Sequence, residues 1–139
     1  MIAIFVFYNK SKGSASKIFC GKKYKHCSVL MYQGGKYTLC WSNGSVINIR
    51  VLKIKRIEGI IKRIKSDPEV QSIMSVEISK ELEQRKWFPL LINSCNEICR
   101  LVTGIDVGFT FNPKHLHNKL FLNDGLSNFK IDYYWERDR

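Results

Sequence analysis

The sequence is short of acid. Twelve Asp and Glu stand against 23 Lys and Arg, a formal net charge of +11 over 139 residues. The excess has two readings. One is an anionic partner such as nucleic acid, a cell-wall polymer or a lipid surface. The other is a Lys- and Ile-rich bias that aids solubility, and the wide spread of the basic residues along the chain favours it. Long apolar runs are missing too. None approaches the ~20 residues that span a bilayer. The front run, Met1 to Tyr8, is too short to span and lacks the charged front and small-residue cleavage site of a signal peptide. No transmembrane segment and no export signal are therefore expected.

Cysteine is present in an odd number, five, and never as Cys-x-x-Cys. Cys20, Cys27, Cys40, Cys95 and Cys99 read as reduced thiols of a cytosolic compartment rather than a disulfide framework. Internal repeats and low-complexity linkers are also lacking. What is there is 45% hydrophobic and 12% aromatic residues, enough for a real core in one domain.

The first third reads as β. Met1 to Tyr8 (MIAIFVFY) has the pattern of a buried strand. His26 to Tyr32 and Lys36 to Trp41 flank Gly34-Gly35, a hairpin signal because tight two-residue turns need φ > 0. With those glycines as the turn, Gln33 pairs with Lys36, Ser28 with Trp41 and His26 with Asn43. Val46 to Ile54 continues the meander after Ser42-Asn43-Gly44-Ser45.

The middle reads as helix. Asp67-Pro68-Glu69 resembles a helix start, and Val70, Ile73, Met74, Ile78 and Leu82 recur at helical spacing. Ile57 to Ile64 is a shorter segment before it, with Lys62, Arg63 and Lys65 as a solvated face. After Trp87-Phe88-Pro89 and a short apolar stretch, Asn93 or Ser94 caps a helix that runs to about Thr103 and stops at Gly104. Ile98, Leu101 and Val102 are its expected apolar face. Asn112-Pro113 opens another short helix, and a charged, aromatic tail closes the chain. The expectation is one α+β domain over residues 1–139. It has a β meander in 1–54, a helical region in 57–86, the Cys95 helix and its successor in 87–121, and a tail in 122–139.

Two residues stand out chemically. Cys95 sits where a helix begins, so the helix dipole and the free N–H groups favour its thiolate, the nucleophilic form. His26 starts a strand after the basic loop Gly21-Lys22-Lys23-Tyr24-Lys25, and an imidazole near Cys95 would complete its activation. The bland alternatives are a small core residue and a half-buried strand-end histidine. Metal is the main rival: Cys95 and Cys99 share a helix face, His115 and His117 follow, and Cys20 and Cys27 add sulfurs. Zinc sites usually show tight paired spacing, which is absent here. No metal and no cofactor are expected.

Tyr24-Lys25-His26-Cys27-Ser28-Val29-Leu30-Met31-Tyr32, then Gly34-Gly35, then Asn43-Gly44-Ser45-Val46 resembles the histidine segment of the circularly permuted papain-like hydrolases. These include NlpC-type peptidases, YiiX-like proteins and lecithin–retinol acyltransferases. Asn93-Ser94-Cys95 to Gly104, then Asn112-Pro113-Lys114-His115-Leu116, is similar to their cysteine segment. His before Cys is the permuted order, and the resemblance covers about residues 1 to 121. It departs in three places: Ser94 intervenes between Asn93 and Cys95, Asn112 stands where Thr or Ser is usual, and no acidic residue follows His26 in the hairpin.

The resemblance implies a permuted papain-like fold. It also implies a thiol hydrolase or acyltransferase acting on a peptide, cell-wall or lipid acyl substrate. Cys95 would be the nucleophile and His26 the proton shuttle. Asn43 is the candidate to orient His26, against its simpler role in a turn before Gly44. Tyr8 is a candidate oxyanion support by loose analogy with NlpC-type sites. The alternatives are a catalytically silent binding or structural module of the same fold, such as a phage or virus virion component among virion proteins, and a basic nucleic-acid binder. The expected location is cytoplasmic or virion-associated.

Overall fold

A computed structural model describes residues 1–10, 22–42, 46–53, 56–80 and 94–138, and the backbone alone of Asn43. Its strands are β1 (Ile2–Tyr8), β2 (His26–Gln33), β3 (Lys36–Asn43), β4 (Val46–Leu52), β5 (Val70–Ile78) and β6 (Phe129–Glu136). Its helices are α1 (Ile57–Ser66), α2 (Cys95–Thr103) and α3 (Pro113–Leu122). The strands form one antiparallel sheet in the order β4-β3-β2-β1-β5-β6. The domain is α+β. No helix among the described residues is long and apolar enough to cross a membrane.

The Gly34-Gly35 hairpin forms with the expected register. Both glycines have positive φ, 58° and 78°, Gln33 pairs with Lys36, and Ser28 pairs with Trp41. Period-2 alternation then sorts side chains to the two faces of the sheet. From β1, Ala3, Phe5 and Phe7 join Cys27, Val29, Cys40, Met74 and Val76 in one core, which α2 and α3 cover through Ile98, Cys99, Leu116 and Leu120. Ile4 and Val6 join Leu30, Val70 and Ile73 in a second core on the other face, against Ile57, Ile60, Ile61 and Ile64 of α1. The run MIAIFVFY is apolar throughout because helices cover both faces of its strand.

The same double cover corrects the helical reading of the middle stretch. Residues 70–78 are strand β5, seated between β1 and β6. Met74, Val76 and Ile78 serve one core and Val70 and Ile73 the other, so the apolar pattern loses its alternation and mimics a helical period. Asp67-Pro68-Glu69 is a turn into that strand. The Asp67 carboxylate accepts the Glu69 N–H at 2.9 Å, and the Asp67 carbonyl accepts the Val70 N–H at 3.2 Å. Leu82 lies outside the described residues. Among the described residues of the expected helical region, only Ile57–Ser66 is helix. Of its basic cluster, Lys62 and Arg63 are exposed, while Lys65 lies over the rings of Tyr133 and Trp135 at 5.4 and 5.3 Å. The expected tail is also corrected: residues 129–136 pair with β5 as an edge strand.

Helix α2 has the expected limits. Ser94 is its N-cap, and Gly104 ends it in the left-handed conformation at φ 67°. A Cβ is disfavoured there, so Gly104→Ala should cost about 1 kcal/mol in urea unfolding. An unchanged midpoint would contradict that role. The buried face is Ile98 and Cys99 with half-buried Cys95 and Val102; Leu101 is less covered than expected. Asn112 caps α3, its side chain accepting the His115 N–H at 2.8 Å, with Pro113 in the first turn.

One packing detail gives a pH prediction. His117 of α3 stacks on Tyr24 with ring centroids 4.5 Å apart and meets Phe7 edge-on at 5.0 Å. Phe121 and Tyr134 also contact its ring, and Tyr24 and Tyr134 both donate to the Glu136 carboxylate, to which Lys23 is also paired. Burial, helped by the Lys23 ammonium, brings the His117 pKa down to about 4. As pH falls through 6.5, the unfolded chain takes up this proton first, and the folded chain resists until about pH 4. Stability is therefore full above pH 6.5 and should decline by up to about 3 kcal/mol toward pH 4. Urea titrations at pH 7 and 4.5 should show a smaller loss in His117→Phe than in the parent; equal losses would rule the role out.

Candidate active site

The start of α2 meets the start of β2 at one end of the sheet. Packing brings them together: Ile98 and Cys99 anchor α2 over Cys27, Val29 and Cys40 of β2 and β3. Cys95, the first residue of α2, is thereby presented to His26, the first residue of β2, near enough for the imidazole to lower the thiol's pKa. Both residues are half-buried, at the edge of the core.

The Cys95 thiol ionises well below the ordinary range. The largest cause is a hydrogen bond from the Cys27 thiol; burial works against ionisation; the His26 imidazole lowers it further by hydrogen bond and charge; the Cys27 backbone N–H adds a last contribution. Its place in the first turn of a helix acts in the same direction. Cys27 behaves in the opposite way. It is fully buried, and burial first, then its contacts with Cys95 and Cys99, push its thiol well above the ordinary range. Its sulfur lies 3.8 Å from that of Cys99. Cys27 therefore stays protonated and offers one S–H to two neighbouring sulfurs. Burial also raises Cys40, to about 11.

Tyr8 pairs with His26 across β1 and β2, with ring centroids 5.6 Å apart. Its hydroxyl shares a 3.1 Å hydrogen bond with Ser28, and burial holds the phenol above its usual pKa, so it is neutral at physiological pH. The structure thus brings Tyr8 to the histidine. Asn43 ends β3, two residues beyond the last β2–β3 pair, Ser28 with Trp41, and its backbone pairs with Val46. Its side chain lies outside the described residues, as do Cys20 and Asn93.

A buried polar network fixes the first turn of α2. Asn96 donates to the carbonyl and hydroxyl of Thr110 at 2.7 and 2.9 Å and receives the Ser94 hydroxyl. Glu97 accepts the Thr110 N–H at 2.8 Å and pairs with Arg100, all within the core. Sequence reading missed these residues and weighed Cys27 only as a metal-ligating sulfur. The i, i+3 spacing of Glu97 and Arg100 was a usable signal, but it looks the same for an exposed pair.

The residues weighed as metal ligands have other surroundings. His115 accepts the Phe111 N–H through Nδ1 at 3.0 Å, and His117 is in the aromatic cluster. Among the described residues, no group of three or more His, Cys, Asp or Glu is arranged to hold a metal ion. A cavity of about 540 Å³ opens at the opposite end of β2 and β3, beside Met31, Thr38 and Val102, and is not part of this site. No family model, curated protein or solved structure matches the chain.

Proposed function

We propose that the protein is a thiol hydrolase or acyltransferase of the permuted papain-like kind, with Cys95 as nucleophile and His26 as proton shuttle. The observation that carries this reading is the meeting of the Cys95 helix start with the His26 strand start, where the imidazole favours the thiolate. The order of histidine strand before cysteine helix supports the permuted relationship.

The thiolate attacks the carbonyl carbon of an amide or ester, forming a C–S bond. N–H groups of the α2 first turn, which lack acceptors inside a helix, face the developing oxyanion. His26 gives its proton to the leaving nitrogen or oxygen as that bond breaks. Water, deprotonated by His26, or an acceptor alcohol or amine then cleaves the thioester and frees Cys95. Tyr8 holds the imidazole from the side, through its ring and its bond to Ser28.

The test is acyl capture. Incubation with activated esters and peptide amides, followed by acid quench and mass analysis, should show an acyl adduct on Cys95. Turnover should be lost in Cys95→Ala and reduced in His26→Ala. A lack of both adduct and Cys95-dependent turnover across the two substrate classes would overturn the reading, leaving the silent module.

A further inference from the structure

More than half of the net positive charge gathers beside the least covered strand of the sheet. Residues 50–65 carry seven Lys and Arg and one acid, Glu58, a net +6 of the chain's +11. We infer that the β4 edge, with Lys53 and Arg56 after it, is a docking surface for an anionic lipid bilayer. Aliphatic side chains enter the membrane interface, and the flanking cations meet the phosphate headgroups. The inference is independent of the acyl chemistry assigned to Cys95.

Three observations converge on this edge. Among the described residues, β4 has a strand on one side only, so its outer row of backbone groups is open. It holds no proline, and its pairing with β3 runs unbroken from Tyr37 with Leu52 to Asn43 with Val46. Second, four aliphatic side chains of this one strand are uncovered: Val46, Ile47, Ile49 and Val51 are 55%, 39%, 65% and 64% exposed. A single exposed aliphatic is ordinary, whereas a row of them marks a contact surface. Ile49 pairs with Cys40, which is buried beneath α2, so the cover on that face stops at β3. Third, Arg50, Lys53 and Arg56 are exposed along and just beyond the strand.

Charge selects the occupant. A second copy paired through β4 would cover Ile49 and Val51, but it would set one cation cluster against another. A nucleic acid would neutralise the cations, yet it offers little to four aliphatic side chains, and β4 has no aromatic ring on which a base could stack. An anionic bilayer answers both features. The aliphatic row gains by leaving water for the interface, and each nearby Lys or Arg is drawn to the negative surface. Contact stays at headgroup depth, where the open N–H groups of β4 donate to phosphate oxygens, so no bare backbone group enters hydrocarbon. Helix α1 does not supply the apolar part, because Ile57, Ile60, Ile61 and Ile64 pack against the second core. Its exposed Lys62 and Arg63 add to the attractive field.

The experiment floats the full chain with vesicles of phosphatidylcholine and with vesicles of equal parts phosphatidylcholine and phosphatidylglycerol. Binding to the anionic vesicles should exceed binding to the neutral ones by at least about tenfold and weaken as salt rises. Ile49→Ser with Val51→Ser should lower it by about tenfold, and Arg50→Gln with Lys53→Gln and Arg56→Gln by about a hundredfold. These positions are exposed, so thermal midpoints should stay near that of the parent. Ile49→Trp should keep binding and, on vesicles of brominated lipid, show quenching beyond that of the parent's tryptophans. Equal binding to the two vesicle types, or none, overturns the proposal whatever the variants do. So does a double-stranded oligonucleotide that holds the chain as tightly as the vesicles while Ile49→Ser with Val51→Ser binds like the parent, which assigns the surface to nucleic acid. A concentration-dependent dimer lost in that same pair of substitutions, without vesicle binding, assigns the edge to a second copy and also overturns it. Acyl transfer by Cys95 in the absence of vesicle binding removes only the docking surface, and vesicle binding without acyl transfer leaves it standing.

Discussion

Iodoacetamide at pH 7 should label Cys95 at least about a hundredfold faster than Cys27 or Cys40 in the folded protein. Each unit by which the thiol pKa falls below its ordinary value raises the thiolate fraction at fixed pH by about tenfold, until the group is fully ionised. Part of that gain is offset, because a less basic thiolate is a weaker nucleophile. Cys27 and Cys40 lose on both counts: burial raises their pKa and removes access. The pH profile carries the sign. Cys95 is lowered, so its rate profile should inflect well below that of an ordinary thiol. His26→Ala removes one hydrogen bond and a positive charge, so the inflection should move up and the pH 7 rate should drop. Cys27 supplies the larger lowering contribution, so the inflection in His26→Ala should stay below that of an ordinary thiol. Equal labelling across the cysteines, or a profile untouched by His26→Ala, would dismiss the activated pair.

Glu97→Ala should cost about 3–5 kcal/mol in chemical denaturation. The carboxylate is buried against the Arg100 guanidinium and accepts the Thr110 N–H. Truncation leaves a cation in the core without that countercharge and an amide without its acceptor. Replacing Glu97 and Arg100 together by Leu should cost less than Glu97→Ala, because the stranded charge goes too. Since Glu97 and Asn96 tie the first turn of α2 to Thr110, Glu97→Ala should also slow Cys95 labelling. A cost below about 1 kcal/mol would show that solvent reaches the site on truncation.

Local chemistry was legible in the sequence wherever it alone decides the structure. Gly34-Gly35 set the hairpin register, Gly104 set the end of α2, and Asn112-Pro113 opened α3. Residues 70–78 were not legible, because a strand covered on both faces has no alternation to read, and Asp67-Pro68 serves a turn as well as a helix start. The last strand was misread for a related reason. Its residues are half-buried and aromatic, and only pairing with β5 makes them a strand. At the site, Cys95 and His26 could be named from their places at element starts. The part played by Cys27 could not, because only packing of α2 over β2 brings Cys27 and Cys95 into one cluster.

The central place of β1 also governs the order of assembly. On one side it pairs with β2, and on the other it must wait for β5, joining Tyr8 to Val70 and Ile2 to Glu77. The meander β2-β3-β4 closes through short connections and can form early, whereas the β1–β5 ladder requires a long loop to close first. Until then the chain carries an apolar strand, MIAIFVFY, with one row of backbone groups unsatisfied and its side chains uncovered. Refolding should therefore be slow for a chain of this size and sensitive to protein concentration, with loss to aggregates during the interval before β5 arrives.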